Sequence, residues 1–249
     1  MKILVCISNV PDTTTRIKLS GDKKSVETNG VQWIINPWDE LALTRAMELS
    51  EQNAGSIQAI SVVSVGDASV EPTLRKALAV GANEAIRVNL VPADSYSVAV
   101  QLAEVVKQEN PDLVLLGIES SDFNSSGVGA MLAELLGFAS VSSVSSLELS
   151  SSGLTIKREV EGGTEQLECP LPAILSVQKG IALEPRIPAM RGIMMARSKP
   201  LKVVEPVAVE PLSEWIELEL PEAKSACKMI PEDNAKELIR LLHEEAKVI

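Results

Sequence analysis

A chain of 249 residues that is 45% hydrophobic can build one large buried core, and with 2% aromatics that core must consist of Val, Ile, Leu and Ala. The formal net charge of -11 repels phosphate backbones and anionic lipid, which sets nucleic-acid and membrane-surface functions aside. No apolar stretch is long enough to span a bilayer, so direct membrane insertion is not expected.

Residues 2–8 form a compact apolar run, a candidate buried first strand. Residues 26–35 read as a hairpin broken by Asn29-Gly30. Asn36 suits a helix N-cap, Pro37 the first helical position, and Asp39 and Glu40 the positive end of the helix dipole. Trp38, Leu41, Ala42, Ala46 and Leu49 then recur at helical spacing on one face. A second core strand is expected over residues 57–65, closed by Gly66, and a helix over 69–80, stopped by Gly81. Residues 85–88 read as a short strand, 95–108 as a helix and 113–116 as the most apolar strand, ending at Gly117. A polar loop, 118–126, leads into a helix over 127–136. This alternation predicts an α/β fold: a Rossmann-like parallel sheet with helices on both faces, of the adenine nucleotide alpha hydrolase-like kind.

After Gly137 the pattern changes. Residues 140–152 read as strand then turn, 154–167 as a hairpin around Glu161-Gly162-Gly163, and 172–177 as another buried strand. From Pro185 onward recurrent prolines predict irregular chain. Residues 201–249 carry eleven acids and six Lys or Arg, a net of -5, and end in an expected helix over 232–247 with Ala235, Leu238, Ile239, Leu242 and Ala246 on one stripe. The expected organisation is therefore a nucleotide-binding domain over 1–200 and an extended arm with its helix over 201–249. Cys6, Cys169 and Cys227 are odd in number and form no CxxC, which favours free thiols in a reducing compartment over a disulfide framework or a metal site. The N-terminus reads directly as a strand rather than a signal peptide. A cytoplasmic protein is expected, or a mitochondrial matrix protein if the source is eukaryotic.

The polar loop is the best local site. Backbone N–H groups at a helix start, flanked by small Ser and Gly side chains beyond the carboxyl end of a parallel strand, can cradle a phosphate. An equally economical reading of these residues alone is a capping loop without a ligand. Catalytic signals are absent: there is no GxSxG, HExxH or GxxxxGK[ST]. His243 sits near a helix C-terminus, where it complements the dipole. A chain so poor in acid–base groups suits a carrier whose cofactor does the chemistry, with no catalytic activity of its own.

The segment Ile156-Lys157-Arg158-Glu159-Val160-Glu161-Gly162-Gly163-Thr164-Glu165-Gln166-Leu167, followed by Pro172-Ala173-Ile174-Leu175-Ser176, resembles the signature of the electron transfer flavoprotein beta subunit. The resemblance extends through Glu184-Pro185-Arg186 and Ile193-Met194 with Ala196. Upstream it takes in the Asn36-Pro37 turn and Leu113-Val114-Leu115-Leu116-Gly117, so that it covers roughly residues 1–200. It implies a heterodimer with an alpha subunit that holds most of an FAD. That flavin would accept electrons from dehydrogenases, often acyl-CoA dehydrogenases of fatty acid beta-oxidation, and pass them to a quinone-linked oxidoreductase. It further implies a structural AMP in this subunit, contacted by Cys6, Asn36, Pro37, Trp38, Asp39 and Val65. The remaining AMP contacts map to Asp122, Phe123, Asn124, Ser125, Ser126, Gly127, Val128, Gly129, Ala130, Met131, Leu132 and Ala133. Many members carry an acidic run and an Asn-Gln-Thr-Gly element where this chain has Asp122 to Gly129. Backbone contacts to phosphate would survive that change.

By the same resemblance Pro188, Ala189, Met190, Arg191 and Gly192 form a partner-recognition loop, with Met190 in the place of an anchoring leucine. The terminal helix is expected to cross to the alpha subunit. Three other readings stand beside it. Some relatives bind a second FAD in place of AMP and bifurcate electrons. A stand-alone adenine-nucleotide-binding module would show a GxxG with a distant Gly-Ser or Gly-Thr, and an ATP-using ligase an SGGxDS-type loop; neither pattern is present after Gly117.

Overall fold

In a computed structural model, residues 1–150, 153–224 and 226–249 are described. The chain runs β1 (Lys2–Cys6), β2 (Asn9–Pro11), β3 (Trp33–Ile35), α1 (Pro37–Gln52), β4 (Ala59–Val65), α2 (Glu71–Val80), β5 (Glu84–Val88), α3 (Ser95–Glu109) and β6 (Leu113–Gly117). It continues with α4 (Val128–Leu136), β7 (Ala139–Ser150), β8 (Gly153–Val160), β9 (Gly163–Cys169), β10 (Ala173–Val177), α5 (Met190–Ala196), β11 (Leu201–Val204) and α6 (Ala235–Glu244).

Among the described residues nine strands form one sheet in the order β11-β5-β4-β1-β6-β10-β7-β8-β9. It is parallel from β11 to β7, and β7, β8 and β9 pair antiparallel. The central strands read as near-continuous apolar runs because both their faces are covered. Alternate residues divide between two cores. Ile3 and Val5 of β1, with Leu113 and Leu115 of β6, face α1 and α2, whereas Leu4 and Cys6, with Val114 and Leu116, face α3 and α4. This is the expected Rossmann-like α/β architecture.

Several local expectations are corrected. Asn29-Gly30 makes a turn, with Gly30 at φ 78°, but joins no hairpin; β3 pairs instead with β2, Val10 opposite Ile34. The turn chemistry was read correctly, but the antiparallel partner came from the other side of the excursion. The chain after Pro185 is not wholly irregular. The prolines stand between short elements rather than within them, leaving room for α5 and for β11, which adds to β5 as the parallel edge strand. The first residues beyond 200 thus complete the sheet. The turn expected at 151–152 lies outside the described residues.

Residues 205–218 run across the domain's own surface. The Gln101 side chain exchanges two hydrogen bonds with the backbone of Val207, at 2.8 and 2.9 Å. Asp94 Oδ2 accepts the N–H groups of Leu212 and Ser213, and Leu218 N donates to Lys23 O. By contrast α6, which follows a single turn at Glu232–Asn234, buries none of its residues.

Candidate functional site

In this sheet the chain leaves β1 toward β4 and β5, then returns to β6 on the other side of β1. The carboxyl ends of β1 and β6 therefore border the crevice where strand order reverses, the place open α/β sheets offer to ligands. The start of α1 lies across it. Asn36 occupies the N-cap position but its side chain does not cap α1. It reaches across the crevice, where Nδ2 donates to Glu119 O at 2.8 Å and Oδ1 accepts from Ser121 N at 3.1 Å. The expectation of a side-chain cap is corrected because both ends of the amide find partners in the loop after β6. Asp39 joins the two strands directly, Oδ2 accepting from Ser8 N at 2.7 Å and Oδ1 from Gly117 N at 2.6 Å. Burial pushes its carboxyl up to about 6, against these hydrogen bonds, which favour the charged form. Gly117 must be glycine here: a Cβ would meet Trp38 Cβ at 2.5 Å and Asp39 Oδ1 at 2.6 Å.

Beyond β6 the loop winds tightly into α4. Asn124 and Ser126 both have φ near 50°, a backbone conformation that asparagine tolerates and serine adopts less readily. Ser126 Oγ donates to Glu119 Oε2 at 3.2 Å, and Ser125 Oγ lies 2.9 Å from Ser95 Oγ at the start of α3. Gly127 occupies the N-cap of α4 and no side chain caps that helix, so the positive end of its dipole opens on its surroundings. Those surroundings include a cavity of about 260 Å³ lined by Ser126, Gly129 and Ala130 on one side and Ser140, Ser142, Ser143, Ser176 and Arg158 on the other. Arg158 brings a guanidinium whose Nε is engaged by Glu165 Oε2 at 2.6 Å. A second hollow, of about 580 Å³ and more open, is lined by Trp38, Glu119, Glu159 and Lys179, with Ile118 forming part of both.

The residues expected to contact a nucleotide converge on this end of the sheet but differ in what they expose. Cys6, Leu132 and Ala133 are buried in one apolar cluster with Val65 packed against it. Burial, and then the neighbouring Asp39 charge, pushes the Cys6 thiol pKa up, so it is a core thiol rather than a nucleophile. Pro37 opens α1, and Val128 and Met131 lie on the first turns of α4. Phe123, odd beside a polar ligand, has its ring 5.5 Å from that of Trp215 on the passing arm, yet it stays exposed. Sequence reasoning missed Ser95, the serines of β7 and Trp215. The β7 serines did carry a signal, five within residues 140–146 just after a helix stop, and Trp215 stood out as a lone tryptophan among prolines.

The segment expected to be a recognition loop is instead the short helix α5, packed on α2. Met190 is 75% exposed, which removes the core-filling reading of this methionine. Leu183, Ile187 and Met194 are exposed beside it in sequence. Among the described residues no helix is long and apolar enough to cross a membrane.

Comparison with known proteins gives one family. The family described as the electron transfer flavoprotein domain matches residues 24–209. The electron transfer flavoprotein subunit beta of Bacillus subtilis (strain 168) is 36% identical over 263 aligned positions that cover all of both chains. That of Syntrophomonas wolfei is 37% identical over 252, covering all of this chain and 98% of the relative. The Homo sapiens protein of the same name is 33% identical over 211, covering 83% of this chain and 82% of its own.

Proposed function

The chain belongs to the electron transfer flavoprotein family, among its beta subunits, and from that premise we propose that it pairs with an alpha subunit, binds AMP at the carboxyl ends of β1, β4 and β6, and takes electrons from an acyl-CoA dehydrogenase for a quinone-linked oxidoreductase. The observation that carries the AMP reading is the uncapped N-terminus of α4, facing a serine-lined cavity beside the strand-order reversal. The residues fit a nucleoside monophosphate. The amides of residues 127–130 and the hydroxyl of Ser125 suit the phosphate, while the half-buried Val65 offers apolar surface for the base. The room is made by small residues: a Cβ on Gly129 would collide with Ser176 Oγ. FAD, held mainly by the alpha subunit, supplies the one- and two-electron chemistry when bound. The tasks of this chain are to hold the nucleotide, to face the flavin and to present a surface to the electron donor.

That surface is α5 with its approach, where Met190 is the anchor. A flexible thioether suits a site that must fit more than one partner. The exposed stripe of α6, with Leu238 and Ile239 uncovered, is the segment that docks on the alpha subunit. The role is tested by mixing the purified heterodimer with an acyl-CoA dehydrogenase and its acyl-CoA. Flavin bleaching dependent on both supports it; no bleaching by any acyl-CoA dehydrogenase sinks the assignment of donor.

A further inference from the structure

The helix α5 has seven residues and no side-chain N-cap, and only Ala196 of it is buried. So short a helix does not hold itself together in water, and burial of one alanine is little help. What holds it is a pair of crossed cations. Arg75, on α2, donates from Nη1 to Ala196 O at 2.8 Å and to Lys199 O at 2.7 Å, at the C-terminal end of α5. Lys199, just past α5, donates from Nζ to Leu78 O at 3.0 Å, Gly81 O at 3.3 Å and Ala82 O at 2.5 Å, at the C-terminal end of α2. Each segment thus satisfies the last carbonyls of the other with a positive charge placed at the negative end of its dipole. Gly192 sets the spacing, since a Cβ there would collide with Ala79 O. Met190 and Met194, 75% and 71% exposed, ride on this clasp.

We propose that Arg75 and Lys199 are positioning residues for the donor-facing surface: their crossed capping of α2 and α5 fixes the angle at which Met190 and Met194 meet the reductant. The inference rests on the reading of α5 as the donor contact. A rigid, prearranged anchor avoids the cost of ordering α5 on each encounter, so loosening the clasp weakens encounter and leaves the later steps alone.

The test uses the intact heterodimer carrying Arg75→Met, Arg75→Lys, Lys199→Met or Met190→Ala. Methionine keeps an apolar stem and removes the charge. Two quantities are read: amide hydrogen exchange across Met190–Ala196, and KM and kcat with an acyl-CoA dehydrogenase as donor, with dithionite as a donor that needs no docking. The expected result for both methionine variants at Arg75 and Lys199 is faster exchange in α5 and a KM raised roughly tenfold, with kcat and dithionite reduction unchanged. Arg75→Lys, which keeps a charged donor, should restore both. Unchanged exchange in Arg75→Met overturns the clasp. Faster exchange with unchanged KM, while Met190→Ala raises KM, overturns the positioning role alone. If Met190→Ala also leaves KM unchanged, the donor-contact reading itself fails and the positioning role falls with it.

Discussion

Asp39 Oδ1 accepts the backbone N–H of Gly117 at 2.6 Å, while the other oxygen of the same carboxylate accepts that of Ser8. One buried side chain from the first turn of α1 thereby ties together the ends of β1 and β6, the two strands that flank the crevice. The cost shows in its ionisation, since burial moves the carboxyl from 3.8 to about 6. The folded state then binds a proton more tightly than the unfolded state, so the stability Asp39 contributes is full below pH 4 and is lost as pH rises through about 6. The shift corresponds to about 3 kcal/mol. Denaturant unfolding of the native chain and of Asp39→Asn should give a stability difference that falls in the native chain's disfavour between these pH values and is flat on either side. A difference independent of pH would mean that Asp39 titrates at its ordinary value.

Gly117→Ala should destabilise the fold by about 1–3 kcal/mol through overpacking, because the added methyl meets Trp38 and the Asp39 carboxylate. The unfolding midpoint should drop with the slope unchanged. A variant as stable as the parent would show that α1 can slide away from β6.

Gly129→Val places a branched side chain where Ser176 Oγ and the cavity of about 260 Å³ now lie. The heterodimer should still assemble around FAD but lose most of its AMP, read by chromatography of the released nucleotides. Undiminished AMP in this variant would move the phosphate site away from α4.

A chain ending at Pro231 lacks α6, which buries none of its residues in its own domain. Its melting temperature as an isolated subunit should change little, whereas its affinity for the alpha subunit should fall at least about tenfold, or 1.4 kcal/mol. Equal affinity would place the docking surface elsewhere.

The sheet core and the site loop were legible because their signals are local. β6 is a run of apolar residues stopped by a glycine, and α4 follows a polar loop that ends in Gly127. What escaped is set by contacts between distant segments. Asn36 has the right type for a cap, but Glu119 O and Ser121 N, more than eighty residues away, take its side chain instead. The four residues of β11 carry no strand signal stronger than the prolines around them and become a strand by pairing with β5. Trp215 over Phe123 joins a loop to an arm that no periodicity connects. The segment expected to be a recognition loop is helical from Met190 onward because it packs against α2, a contact between segments more than a hundred residues apart.

The most direct measurement of the central claim is the nucleotide content of the purified heterodimer after denaturation. One FAD and one AMP per heterodimer is the expected result, with the AMP in the site formed by the Asp122 loop and α4. Two FAD and no AMP would contradict it, and would make the cavity beside α4 part of a second redox site in a bifurcating carrier.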